Sequence, residues 1–403
     1  MNPDSISEEY LRLALAIDQH MPGYIDAYFG PPDWKEQVQR GGPHPLKELS
    51  RRADELAGAI AADGAMDSQR KDYLARQVRA MQTSLRLLAG EKMPLADEVE
   101  LLYDIRPAWV DETVFEQAQR QLDELLPPGG TLQERMAARD KAMEISTGKA
   151  RELLPVIHAR LRDETRRRFP LPEQESFEFH FVTGQPWLAY NWYLGGGRSK
   201  IELNTDLPLR AGRLVSVVAH EAYPGHHTEL CIKDSLLLQG QGRLEHSVVL
   251  LNSPACVVSE GIATNALSVI MPEDALQTWY AQEIFPRAGV DPSLAEGEPV
   301  ISRLRQALSE ARGNVAFQMH DRGVDDDALV RYLQRFELLA EPEARKAVAF
   351  IRTPLDRSYI FTYGGGRQLL ASLFAAKRDV TRWYTRVLSE AVTPSQIRQW
   401  AAG

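Results

Sequence analysis

The pattern of this chain is helical from residue 5 to about residue 168. A chain that opens on so long a helical stretch must bury it helix against helix. Leu11, Leu13, Leu15 and Ile17 lie in a first helix, and further helices are expected over 45–63, 67–90, 112–126 and 131–168, the last interrupted at Pro155. Gly30-Pro31-Pro32, Gly41-Gly42-Pro43 and Pro127-Pro128-Gly129-Gly130 punctuate the series. The texture then changes. Ser176–Val182 (SFEFHFV) alternates apolar and polar residues, as a half-buried strand does. An aromatic and glycine-rich loop is expected over 185–198, then a short strand over 199–204. Residues 209–223 are helical again, ending at Pro224-Gly225. The remainder reads as helices, with loops at 271–274, 285–299 and 353–366. A mainly α fold with one small sheet follows. It is expected as an N-terminal helical region, 1–170, and a catalytic region, 171–403, packed as one unit around a cleft.

The string VVAHEAYPGHH, residues 217–227, carries the chemistry. Zinc hydrolases place two His one helical turn apart with a Glu beside the first, H-E-x-x-H. Here position four after His220 is Pro224. His220 follows Leu214, Val215, Val217 and Val218, so its helix is expected to be buried, and buried ionisable groups need a partner or a metal. Glu221 stands ~100° round the helix from His220. One residue can therefore grip a metal while the next faces water as general base. In a straight helix His226 would sit ~9 Å along the axis on the wrong side. Pro224 and Gly225 remove the straight helix. His226 is the preferred second ligand, with His227 facing a neighbouring group or the substrate.

A catalytic zinc takes three protein ligands. The third is expected from 253–266, SPACVVSEGIATNA, where Glu260 is the lone carboxylate in a small, apolar segment. Cys256, one turn earlier, and Glu229 are alternatives. His20, His44, His158, His246 and His320 are scattered and read as surface or structural residues.

At these residues the chain resembles a bacterial family labelled domain of unknown function 885, whose signature is HEGYPGHH followed some thirty residues later by an EGWA-type segment. The matching strings are HEAYPGHH (220–227) and EGIA (260–263), with Ile262 where the family has Trp. Members are regarded as zinc metallopeptidases of a helical, zincin-like architecture, similar to the thimet-oligopeptidase and Taq-carboxypeptidase families. The motif of those relatives, HE-x-GHAL, aligns with GHHT here once two residues are inserted. The resemblance thus implies His220, His226 and Glu260 as Zn²⁺ ligands and Glu221 as the base. It also implies a Tyr or His on the oxyanion, a role open to Tyr363 or His227, and 199–204 as an edge strand for the substrate backbone.

A second glycine cluster, Tyr363-Gly364-Gly365-Gly366-Arg367, precedes an apolar helix, where free backbone N–H groups would favour a carboxylate with Arg367 as partner. Tyr190, Asn191 and Arg198 are further substrate-facing candidates. The expected substrate is a short peptide. A non-peptide amide or ester is the alternative, and a catalytically inactive relative is the other. Other divalent ions also suit a His₂Glu set. The net charge of −9 disfavours nucleic acid and anionic membranes. The acidic N-terminus and the two cysteines suit a cytoplasmic protein without a signal peptide.

Overall fold

Helices dominate the computed structural model, which describes residues 3–185 and 187–403. A three-stranded sheet and two two-stranded ribbons complete it. The mainly α expectation holds, and the small sheet lies against the helix that carries His220 and Glu221. No single helix among the described residues is long and apolar enough to cross a membrane.

Helices Pro3–Asp18, Leu46–Ala62, Ser68–Leu88 and Glu112–Leu125 stand where periodicity puts them. Asp67 and Asp111 start two of them, accepting from the backbone N–H of Arg70 and Thr113. Their apolar faces collect into two cores. The smaller joins the first three of these helices through Leu11, Leu49, Leu56, Leu74 and Val78. The larger takes in most of the chain from Leu95 onward. Helix Thr147–Arg166 packs Leu153, Ile157 and Leu161 into the same core as Val215 and Val258. Strand Ile25–Tyr28 pairs with Val248–Leu250 and ties the N-terminal helices to the rest.

Several expectations are corrected. The 131–168 stretch breaks at 143–146, giving Leu132–Ala142 and Thr147–Arg166, and Ser146 caps the second helix through the Lys149 N–H. Pro155 sits inside that helix on its exposed side, while buried Leu153, Leu154 and Ile157 hold the flanking turns. Helices Pro32–Gly41 and Leu95–Tyr103 had no clear signature in the sequence. The 285–299 loop contains the short helix Phe285–Ala288 and a 3₁₀ turn, Pro292–Ala295. The aromatic loop at 185–198 is instead a strand, Ala189–Gly195; Pro186, within that stretch, lies outside the described residues. Strand Arg198–Asn204 is central, parallel to Ser176–Val182 on one side and antiparallel to Ala189–Gly195 on the other. Its backbone groups are used on both flanks, so it cannot serve as the expected substrate edge. The strand that touches the His220 helix is Ala189–Gly195, whose Asn191 amide donates to the Glu221 carbonyl.

The largest correction concerns the second glycine cluster. Helix Asp356–Ala376 runs straight through Gly364-Gly365-Gly366, so their N–H groups are internal to a helix and form no anion site. The glycines serve close approach. A Cβ on Gly366 would lie 2.3 Å from the Val257 carbonyl oxygen, and one on Gly261 would lie 2.6 Å from that of Gly366. Small residues thereby let this helix press its backbone against helix Pro254–Ile270. Gly366→Ala should destabilise the protein by about 1–3 kcal/mol through overpacking, read as a lower denaturant midpoint at unchanged slope.

Candidate metal centre

Helix Ala211–Glu221 is anchored by buried Leu214, Val215, Val218 and Ala219. It stops at Ala222, and the chain turns through a cis Tyr223–Pro224 bond. The Gly225 N–H then donates to the Ala219 carbonyl at 3.0 Å. A Cβ on Gly225 would lie 1.8 Å from the His220 carbonyl oxygen, so only glycine can fold back over this last turn. A new helix, His226–Lys233, begins at once. The result sets the two imidazoles beside each other, ring centroids 4.8 Å apart and planes at 88°.

Glu260 faces both rings from helix Pro254–Ile270. Its Oε2 lies 3.6 Å from His220 Nε2 and its Oε1 lies 3.8 Å from His226 Nε2. One donor atom from each of the three residues lies within 4.8 Å of the others. Ligands at ~2.1 Å around one tetrahedral ion stand about 3.4 Å apart, so the donors need to move only slightly to share a cation. The Tyr359 hydroxyl donates to Glu260 Oε1 at 2.7 Å, while the buried Oε2 has no hydrogen-bond partner among the described residues. An orphaned buried carboxylate oxygen is costly, and a metal at this point would satisfy it. Burial pushes the Glu260 carboxyl up to about 8, and burial lowers both imidazoles, His220 further through its neighbour His226. Both rings are therefore neutral and offer lone pairs. Nearby groups also fix which nitrogen is free. The Ser259 hydroxyl donates to Glu229 Oε2 at 2.5 Å and so accepts from His226 Nδ1 at 3.0 Å, leaving Nε2 unprotonated. The Ala263 carbonyl also hydrogen-bonds the His220 ring. The residues present fit a metal.

Glu229, an alternative ligand in the sequence, thus stands behind Ser259 and is itself held by Lys233 at 2.5 Å. Cys256 is buried outside the donor cluster. His227 is corrected too. Its ring is fully buried and faces away from the cluster, with Nδ1 2.7 Å from Ser199 Oγ and Nε2 3.1 Å from Glu175 Oε2. Burial alone would raise the Glu175 pKa. Hydrogen bonds from His227, Tyr223 and Arg162 outweigh it and hold Glu175 at about 2. His227 is part of this structural ion-pair cluster and cannot meet a substrate.

Glu221 is buried on the adjoining face, its pKa pushed to about 8 by burial and by the charges of Glu260 and Asp26. Tyr363 follows Tyr359 by one helical turn, their rings edge-on at 5.4 Å, and remains 37% exposed. Burial and Glu260 keep its phenol protonated far above neutral pH. Arg367 is taken up by an ion pair with Glu310 and is not free to hold a peptide terminus. Tyr190 reaches the site indirectly, donating to Asp26. Arg198 is exposed at the start of its strand, three residues from the Ile201 that faces Asn191, or about 10 Å. The structure does not bring it to the donors.

Sequence reasoning missed Asp26, Tyr359 and Ser259. Tyr359 could have been found by its four-residue spacing from Tyr363. Asp26 had no signal, since it arrives on a strand from the far N-terminus.

No family model and no curated protein matches this chain. Among solved structures it is similar to a candidate lipoprotein of Colwellia psychrerythraea, with a TM-score of 0.51 and 16% identity over 91% of this chain and 72% of that one. It is also similar to a protein named CHT, with a TM-score of 0.50 and 10% identity over 99% and 91%. These two share its fold. A Pyrococcus furiosus carboxypeptidase aligns over 100% of this chain and 92% of that one at a TM-score of 0.38 and 12% identity, too distant to carry an argument.

The geometry makes two tests direct. His226→Ala should lose the bound metal in elemental analysis, whereas His227→Ala should keep it and lose about 3 kcal/mol of stability through the cavity left by the buried ring and the lost hydrogen bond to Glu175, which keeps Arg162 and Tyr223. Burial raises Asp26 from 3.8 to about 7. Between those values the unfolded chain is ionised and the folded one keeps its proton, so stability falls as pH rises from about 4 to about 7. Metal-free Asp26→Asn should therefore be more stable than the parent by on the order of 2 kcal/mol at pH 8, with little difference near pH 4, read by urea unfolding.

Proposed function

We propose that this chain is a zinc-dependent peptidase acting on short peptides, of the domain of unknown function 885 type that its HEAYPGHH and EGIA strings resemble. The observation that carries the reading is the orphaned Glu260 oxygen between two neutral imidazoles, with a separate carboxylate, Glu221, on the next residue of the helix. His220, His226 and Glu260 hold the ion. A bound divalent zinc supplies Lewis acidity to water and to a carbonyl oxygen.

The chain's own residues do the rest. Glu221 accepts the proton of the attacking water and returns it to the leaving amine. Its raised pKa suits a base that must both take and give a proton near neutral pH. Asn191 fixes the Glu221 backbone from the sheet. Tyr359 orients Glu260, and Tyr363, a neutral donor on the cleft wall, hydrogen-bonds the oxygen that gains charge as the amide carbon becomes tetrahedral.

Glu221→Gln should retain its metal and lose about 10³-fold or more in kcat. Tyr363→Phe should lose about 10²-fold in kcat with little change in KM. Steady-state kinetics on a short-peptide library checks both, and a parallel library of non-peptide amides and esters separates the substrate classes. Turnover by Glu221→Gln near the parent's rate would remove that residue from the chemistry.

A further inference from the structure

Along helix Ala211–Glu221 solvent reaches only Arg213, Ser216, Val217 and His220; every other residue is buried. Spacings of three, four and seven define one stripe on a helix. Arg213 and His220 therefore share one solvent-facing stripe, two turns or about 10 Å apart along the axis.

Arg213 makes no hydrogen bond and no ion pair among the described residues. Arg213 is exposed on this stripe although protein atoms closely surround it. Burial and the neighbouring guanidinium groups of Arg210, Arg305 and Arg312 pull its pKa below the usual arginine value. Those neighbours have partners. Arg210 and Arg305 share Asp140 at 3.1 and 2.7 Å, and Arg312 holds Glu337 at 2.6 Å. Asp140, the counter-charge that acts on Arg213, is thus already engaged. An unpaired cation crowded by other cations is a preorganised anion site, since an arriving carboxylate offsets a repulsion the fold already carries. Asp26, held by Tyr190 near the Glu221 end of the helix, acts on both Glu221 and Glu260.

We propose that Arg213 is the carboxylate subsite of this cleft, holding the free C-terminus of a peptide that lies along the helix with its scissile bond at the His220 cluster. The proposal rests on the peptidase reading and deepens it. An extended backbone covers ~3.3–3.6 Å per residue, so the separation corresponds to release of a di- or tripeptide from the C-terminal end.

The test measures binding by calorimetry to metal-loaded Glu221→Gln protein, which needs no turnover. The probes are hexa-alanine, its C-terminal amide, and an amidated peptide with glutamate as last residue. Free hexa-alanine should bind about 10-fold or more tightly than its amide. Adding Arg213→Met should abolish that preference, weakening the free acid and leaving the amide unchanged. Arg213→Lys should recover part of it. Thermal melting close to the parent's confirms that each variant is folded. If the glutamate amide binds like the free acid and loses affinity with Arg213→Met, the subsite stands and takes an acidic side chain as well. An unchanged preference in Arg213→Met overturns the proposal, as does equal binding of free acid and amide by the parent. If the preference is present but the Glu221-intact protein cleaves none of the three peptides, the subsite stands and the peptidase reading falls. Failure of every peptide to bind at millimolar concentration overturns both.

Discussion

A carboxylate placed in an apolar helix between two imidazoles is the constraint around which this structure is arranged. Glu260 is buried, and one of its oxygens is satisfied by Tyr359 while the other is not. Such a group is tolerable as a protonated acid or as the ligand of a cation. The surrounding chemistry favours the cation. Both rings are held neutral, and Ser259 reserves Nε2 of His226 for coordination. The glycine contacts press helix Asp356–Ala376, which carries Tyr359 and Tyr363, against helix Pro254–Ile270, which carries Glu260.

Cationic groups gather locally although the chain as a whole carries −9: the start of the His220 helix brings together four guanidinium groups, of which Arg213 has no partner among the described residues. Asp26, Glu221 and Glu260 stand toward the other end. His227 illustrates the complementary case. It adjoins the metal motif in sequence but faces the core, where Glu175, Tyr223 and Arg162 hold the turn in place.

Much of the fold was legible because helices advertise themselves locally. Capping residues such as Asp67 and Asp111 and the runs of leucine mark where helices start and what they bury. Strand Ser176–Val182 was legible by its alternation. The strand at Ala189–Gly195 was not, because its aromatics and glycines resemble a loop when partners are unknown. The same ignorance of partners misplaced Arg198–Asn204 at an edge. Three consecutive glycines read as a turn, since nothing in a linear string says that Glu310 crowds Gly364 and Val257 crowds Gly366 on different sides of one helix. Arg367 looked free for a ligand for the same reason, its partner Glu310 lying 57 residues away.

The sequence by itself determined the chemistry on offer: two histidines, a neighbouring glutamate and a distant lone Glu260, with Pro224-Gly225 breaking the helix between them. Those properties are local, set by residue type, spacing and backbone freedom. Only the tertiary structure decided which histidine turns toward Glu260, because that depends on the Gly225 backbone folding over the His220 carbonyl. It alone brought Asp26 from the N-terminal strand to the site and left Arg213 without a counter-ion on the same face as His220. These are relations between segments far apart in the chain, and burial and charge pairing exist only once those segments have met.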